Sequence, residues 1–158
     1  LNRSVLGGRR VFFYGRISVR LTIRFKRLFD DGTFVRFDRV PKEVLNIAYQ
    51  EAAYALQFNP RECPYALSTK IFEHAPKGLP TLSINSGGDI DLLVKRHGIG
   101  ESCRPDSDHI ENAISQIERK NYDKSLREFA IQSHFDRRAD QYCEIIDKAF
   151  QSGSVKSF

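Results

Sequence analysis

Leu79-Pro80-Thr81-Leu82-Ser83-Ile84, followed by Asn85-Ser86-Gly87-Gly88 and then by Asp89 to Lys95, is the stretch that decides the fold class. A mostly apolar run reads as a strand, the paired glycines break it, and the next residues are compatible with a short helix. Strand, Gly-rich turn and helix in that order make one unit of a parallel sheet. A strand of such a sheet is covered on both faces and therefore needs no polar alternation.

The same order recurs to either side. Arg10 to Ile17 is a short, aromatic-rich run whose strand ends near Gly15, and Thr33 to Phe37 alternates at period two after the turn Asp30-Asp31-Gly32. Between them, Ser18 to Phe29 alternates basic and apolar residues, fitting a strand at Arg20 to Ile23 and a helix from Ile23 to Phe29 equally well. Pro41 suits a first helical position, with Val44, Leu45, Ala48 and Ala52 on one face of a helix running to about Ala53. Tyr54 to Phe58 reads as a strand stopped by Asn59-Pro60, and Ser68 to His74 as the opening of another helix. Beyond it, Asp108 and Glu111 are spaced as a capping pair for a helix with Ile110, Ala113, Ile114 and Ile117 on one face. Leu126, Phe129 and Ala130 mark a second helix, and Tyr142, Ile145, Ile146, Ala149 and Phe150 a third, all read as core packing. An α/β domain over residues 1–158, with a doubly wound parallel sheet and C-terminal helices, is the expected architecture.

A chain of 158 residues with 41% hydrophobic and 28% charged residues is that of one ordinary globular domain, and it holds no apolar run long enough for a membrane span. Nothing at Leu1-Asn2-Arg3-Ser4 reads as a signal peptide, so a cytoplasmic setting is expected. Cys63, Cys103 and Cys143 are odd in number and lie in no Cys-x-x-Cys cluster; they read as free thiols, and no metal site or cofactor is expected. The net charge of +5 is uneven. Residues 1–42 carry eleven Lys/Arg against three Asp/Glu, and residues 43–158 carry fourteen against seventeen. A basic first quarter suits an anionic partner, whether nucleic acid, acidic membrane surface or phosphate-bearing ligand, or else is a solvated charged face.

Ligands of an open parallel sheet bind outside the carboxyl ends of its strands. Three loops qualify. After the first strand, Gly15 permits close approach and the Arg16 guanidinium can grip phosphate oxygens in a fork, although such a pair also serves as a plain turn. Ser68-Thr69-Lys70-Ile71-Phe72-Glu73 brings two hydroxyls and an ammonium to a helix start. There Lys70 and unpaired helix N–H groups suit a diphosphate, and Glu73 can accept from both hydroxyls of a ribose. The plainer alternative is a surface ion pair between Lys70 and Glu73. Gly87-Gly88 either lets backbone approach a sugar or phosphate or forms a tight turn. No Gly-x-Gly-x-x-Gly, Walker, Gly-x-Ser-x-Gly or His-Glu-x-x-His motif is present, and the residue types name no catalytic group.

Ser68-Thr69-Lys70-Ile71-Phe72-Glu73-His74, Lys77-Gly78-Leu79-Pro80-Thr81 and Ser86-Gly87-Gly88 together resemble the donor-domain signature of group 1, family-4-type glycosyltransferases, Lys-x-x-Glu-Tyr, Gly-x-Pro-Val-Ile and Gly-Gly. Phe13-Tyr14-Gly15-Arg16 looks like the family's first strand and Gly-Arg loop. The resemblance implies a Rossmann-like half of a GT-B fold that binds a nucleoside-diphosphate sugar, with Glu73 on the ribose, Arg16 and Lys70 on the pyrophosphate, and Ser68 and Thr69 on neighbouring oxygens. It also implies a separate N-terminal acceptor domain outside this chain, a glycan or lipid-linked acceptor held there, and peripheral membrane association of the whole enzyme. The positions depart from the family where a Glu is expected eight residues before Glu73; Tyr65 stands there, with Glu62 nearby.

The expected function is thus that of a glycosyltransferase donor domain, inactive without its N-terminal half and without nucleic acid as a partner. The alternative is a non-catalytic Rossmann-like module that binds a nucleotide or nucleic acid through the basic first quarter.

Overall fold

The structure, a computed structural model, describes residues 6–58, 67–85 and 87–151. The Asn59-Pro60 stop, Glu62, Cys63, Tyr65, Ser86 and the tail beyond Gln151 lie outside these residues.

Strand β4, Thr81–Ile84, is the most deeply placed element: all four residues are buried, Leu82 and Ser83 completely. It is the middle of a three-stranded parallel sheet between β3, Ala55–Gln57, and β5, Gly100–Cys103, with Leu82 opposite Leu56 and Glu101. Both faces are covered, so the polar Thr81 and Ser83 are as buried as the apolar Leu82 and Ile84 that alternate with them. Helix α5, Asp89–His97, returns the chain and buries Ile90 and Val94. It ends where Gly98 takes a left-handed conformation and the Ile99 N–H donates to the Val94 carbonyl, which turns the chain directly into β5.

β5 has no counterpart in the sequence reading, because Gly-Glu-Ser-Cys shows no apolar pattern. It exists because Gly100 can lie against β4: a Cβ at this position would collide with the Thr81 carbonyl oxygen.

A second, two-stranded parallel sheet pairs β1, Val11–Tyr14, with β2, Phe34–Phe37. The segment between them, open to either assignment from sequence, folds as two short helices, α1, Val19–Arg24, and α2, Lys26–Asp30. The Ser18 side chain decides the first by accepting a hydrogen bond from the Leu21 N–H. One face of the small sheet is covered by an aromatic cluster in which Phe34 meets Phe13, Phe25 and Phe29 at ring-centre distances of 5.2, 5.8 and 5.5 Å. The chain is therefore α/β with parallel strands, while its five strands form two hydrogen-bonded sheets among the described residues.

Helix α3, Lys42–Glu51, begins one residue after Pro41, which precedes the helix instead of opening it, and α3 buries no residue completely. Of the expected helix from Ser68, only one turn forms, α4, Ile71–His74, extended by a 3-10 turn over Ala75–Lys77. Helix α6, Ser107–Arg119, buries Ile110, Ala113, Ile114 and Ile117 as their spacing requires. Its cap is Asp106 and not the Asp108/Glu111 pair, since the Asp106 carboxylate accepts from the His109 N–H at 3.1 Å. Helix α7, Asp123–Gln132, buries Leu126 and Phe129. Helix α8, Phe135–Gln151, departs from the core reading: Tyr142, Ile145 and Ile146 are exposed, because no described element packs over that stripe.

The two sheets are tied through the segment before β1. Leu6 is buried, and Arg9 forms a two-toothed ion pair with Glu118 of α6 at 2.5 Å. Tyr54, at the edge of β3, senses both charges, and burial raises its pKa.

Gly100→Ala should lower stability by about 3 kcal/mol, the upper range for overpacking. Gly32→Ala, which meets open space and only a positive φ of 74°, should lower it by about 1–2 kcal/mol. Urea midpoints of the two variants check the order; equal losses would show that β5 is not pressed against β4.

Candidate functional site

Gly15 lies at the carboxyl end of β1 with φ of 113°, and its N–H donates to the Phe37 carbonyl at 2.9 Å. That donor is spent on extending the β1–β2 ladder. What this loop offers a ligand is the exposed Arg16 and the room left by a missing side chain.

The Ser68–Glu73 segment is the second part. Ser68 is half-buried, and its hydroxyl accepts from the Lys70 N–H at 3.3 Å. The Ile71 N–H donates to the Ser68 carbonyl and the Phe72 N–H to the Thr69 carbonyl. The helix-start donors expected to receive a diphosphate are thus paired within the segment, because its entry is a tight turn that closes on itself. The side chains of Thr69, Lys70 and Glu73 stand at the surface.

Lys70 and Glu73 are joined: the ammonium lies 3.0 and 2.9 Å from the two carboxylate oxygens. The hydrogen bond to Glu73 raises the Lys70 pKa above its ordinary 10.5. Both side chains are about half exposed, so the pair contributes only a few tenths of a kcal/mol to stability. A ribose would compete with Lys70 for the Glu73 oxygens, and a phosphate would compete with Glu73 for the ammonium. The pair fixes the two groups side by side at small energetic cost to a ligand that rearranges them.

Behind the pair, His74 is buried with its ring edge-on to Tyr49 at 5.3 Å. Burial lowers the His74 pKa below 6.5, and burial also raises that of Tyr49, to which the Glu73 charge adds. At neutral pH the exposed ion pair therefore rests on an uncharged His–Tyr pair.

The third part, at the carboxyl end of β4, holds residues that sequence reasoning did not single out. The Ser83 hydroxyl donates to Asp91 Oδ1 at 2.6 Å and accepts from Asn85 Nδ2 at 2.7 Å, and the Gly87 N–H donates to Asp91 Oδ2 at 3.0 Å. Ser83, Asn85 and Asp91 are all buried. Gly87 and Gly88 have φ of 106° and 126°, so the turn needs glycine, and Asp91 in the first turn of α5 holds it in place. A signal was available: Ser83 and Asn85 are two apart on a buried strand, and Asp91 sits between the core positions Ile90 and Val94. Cys103, at the end of β5, has its thiol pushed up to about 11, first by burial and then by the Asp91 and Asp106 charges. It is a poor nucleophile at neutral pH.

The structure thus brings Ser68, Lys70 and Glu73 into one connected segment. No hydrogen bond or ion pair joins Gly15 or Arg16 to it among the described residues. A cavity of about 420 Å³ lies elsewhere, beside the Arg9–Glu118 pair, lined also by Gly7, Glu111, Ile114 and Ser115. It opens at the amino-terminal end of β1, away from the Gly15 loop, and contains none of the sequence-predicted site residues. Among the described residues no cluster of three or more His, Cys, Asp or Glu could hold a metal.

No protein-family model matches the chain, and no curated protein or solved structure is significantly similar to it.

Two outcomes follow from these environments. Asp91→Ala removes the acceptor of the buried Ser83 hydroxyl and of the Gly87 N–H, and should cost about 2–3 kcal/mol, measured by chemical unfolding. His74, whose folded pKa lies below the unfolded value of 6.5, binds protons more readily when unfolded. Its contribution to stability is therefore complete above pH 6.5 and lost as pH falls through the lower folded value. Unfolding midpoints of the native chain and His74→Gln, compared across this window, should show the acid-side loss shrinking in the variant.

Proposed function

We propose that this chain is the Rossmann-like, nucleotide-sugar-binding domain of a GT-B glycosyltransferase, spanning residues 1–158. The observation that carries this reading is the Lys70–Glu73 pair, an ammonium and a carboxylate held together at the surface of one helical turn. These are the two chemistries that a nucleoside diphosphate needs, a cation for its phosphates and a two-oxygen acceptor for its ribose hydroxyls. The glycine-dependent turns after β1 and β4 lie at carboxyl ends of parallel strands, where an open α/β sheet receives ligands. In this reading the doubly wound sheet is completed by the two parallel pieces lying side by side.

The chemistry proposed is sugar transfer from the nucleoside diphosphate to a glycan or lipid-linked acceptor. Glu73 orients the ribose, with Ser68 and Thr69 as neighbours of the phosphates. Lys70 and Arg16, near Gly15, stabilise the negative charge that grows on the departing nucleoside diphosphate. The glycosidic bond to the diphosphate breaks as the acceptor oxygen bonds the anomeric carbon, and a separate N-terminal domain binds and activates that acceptor. The enzyme works in the cytoplasm, close to the membrane. No helix among the described residues is long and apolar enough to cross a membrane.

A second reading rests on a different observation. Phe12, Tyr14 and Phe37 are exposed on the outer face of the β1–β2 sheet, with Tyr14 stacked on Phe37 at 5.0 Å, within the basic first quarter. Aromatic rings on a sheet beside arginines can stack nucleobases, which suits a non-catalytic nucleotide- or nucleic-acid-binding module.

Calorimetric titration with UDP, GDP and ADP separates the two. The donor-domain reading expects one nucleotide to bind, and Glu73→Ala to weaken it at least about tenfold, or about 1.4 kcal/mol. Binding that ignores the base, survives Glu73→Ala and falls steeply with salt would favour the second reading.

A further inference from the structure

We propose that helix α1 is a docking ridge for the surface of an anionic lipid bilayer. From Arg9 to Phe29 the chain carries seven Lys/Arg and no Asp/Glu. Within this span α1 has no buried residue, and Val19 and Ile23 are 73% and 70% exposed. Four residues apart, they stand together on one face; Arg20 and Arg24, also four apart and exposed, form the adjoining stripe. A connector helix gains nothing from holding two aliphatic side chains in water. An interfacial helix does, because the aliphatic groups enter the acyl boundary while arginines beside them reach the headgroups.

The charge is available as well as present. Arg9 is held by Glu118 and Lys26 by Asp30, but Arg10, Arg16, Arg20, Arg24 and Arg27 have no carboxylate partner among the described residues. Cationic side chains near an anionic bilayer contribute about 1 kcal/mol each, so this cluster suffices for reversible attachment once a few aliphatic contacts are added. A nucleic-acid backbone would use the arginines and leave Val19 and Ile23 in water. A bilayer surface uses both, and it does so whether or not Glu73 binds a nucleotide.

The test is co-sedimentation with phosphatidylcholine vesicles prepared with and without phosphatidylglycerol. Binding is expected only with phosphatidylglycerol and should weaken with salt. Arg20→Gln with Arg24→Gln should weaken it about thirtyfold. Val19→Ser with Ile23→Ser should weaken it at least about tenfold, while Arg20→Lys with Arg24→Lys retains it. All these positions are exposed, and unfolding midpoints should be unchanged. No binding to phosphatidylglycerol vesicles overturns the proposal, as does binding indifferent to the Val19 and Ile23 substitutions. An oligonucleotide bound in place of vesicles would assign the basic segment to nucleic acid and overturn it equally. Failure of nucleotide binding would leave the vesicle result standing, so the two readings fall separately.

Discussion

The burial of β4 between two parallel neighbours is the constraint on which the rest of the structure depends. A strand covered on all sides has no water for its backbone groups, so both edges must be paired, and β3 and β5 supply the partners. Gly100 permits one of these pairings by removing the side chain that would strike Thr81. The strand is not wholly apolar, and its Ser83 hydroxyl is satisfied by Asp91, whose other oxygen reaches the Gly87 N–H. The same carboxylate that neutralises a polar group inside the core therefore shapes the glycine turn at the sheet's carboxyl edge. Core and candidate loop are one construction.

The surface follows a different logic. The β1–β2 sheet buries one face under Phe25 and Phe29 and leaves Phe12, Tyr14 and Phe37 outward, while α1 and α8 hold aliphatic side chains in water. Scattered exposed apolar residues are ordinary, but continuous stripes on helices and one sheet face mark surfaces shaped for contact. On α1 the stripe lies beside Arg20 and Arg24, which have no carboxylate partner among the described residues, so that surface is positively charged. On α8 nothing comparable indicates a partner.

The Lys70–Glu73 pair shows how little energy is needed to hold two opposite charges side by side at the surface. Half-exposed charges in water attract each other weakly, so the pair adds little to folding and presents a small barrier to a ligand that exchanges it for stronger bonds. Its fixed place comes from beneath: Ile71 is almost fully buried, and neutral His74 packs on Tyr49.

Periodicity and turn chemistry alone determined the parallel α/β class, the strands around Phe13, Val35, Leu56 and Leu82, and the buried faces of α6 and α7. Those features depend on local spacing and on residues that tolerate few conformations. The adjacency of Lys70 and Glu73 was equally legible, since residues three apart on a helical turn must be neighbours. Only the tertiary structure decided that β5 is a strand, because its identity comes from a partner and not from its own four residues. The same holds for the Ser83–Asn85–Asp91 network, which joins a strand to a helix across the turn, and for the exposure of Ile145 and Ile146. An apolar stripe states that a face should be covered; which faces find a cover is settled by what folds next to them.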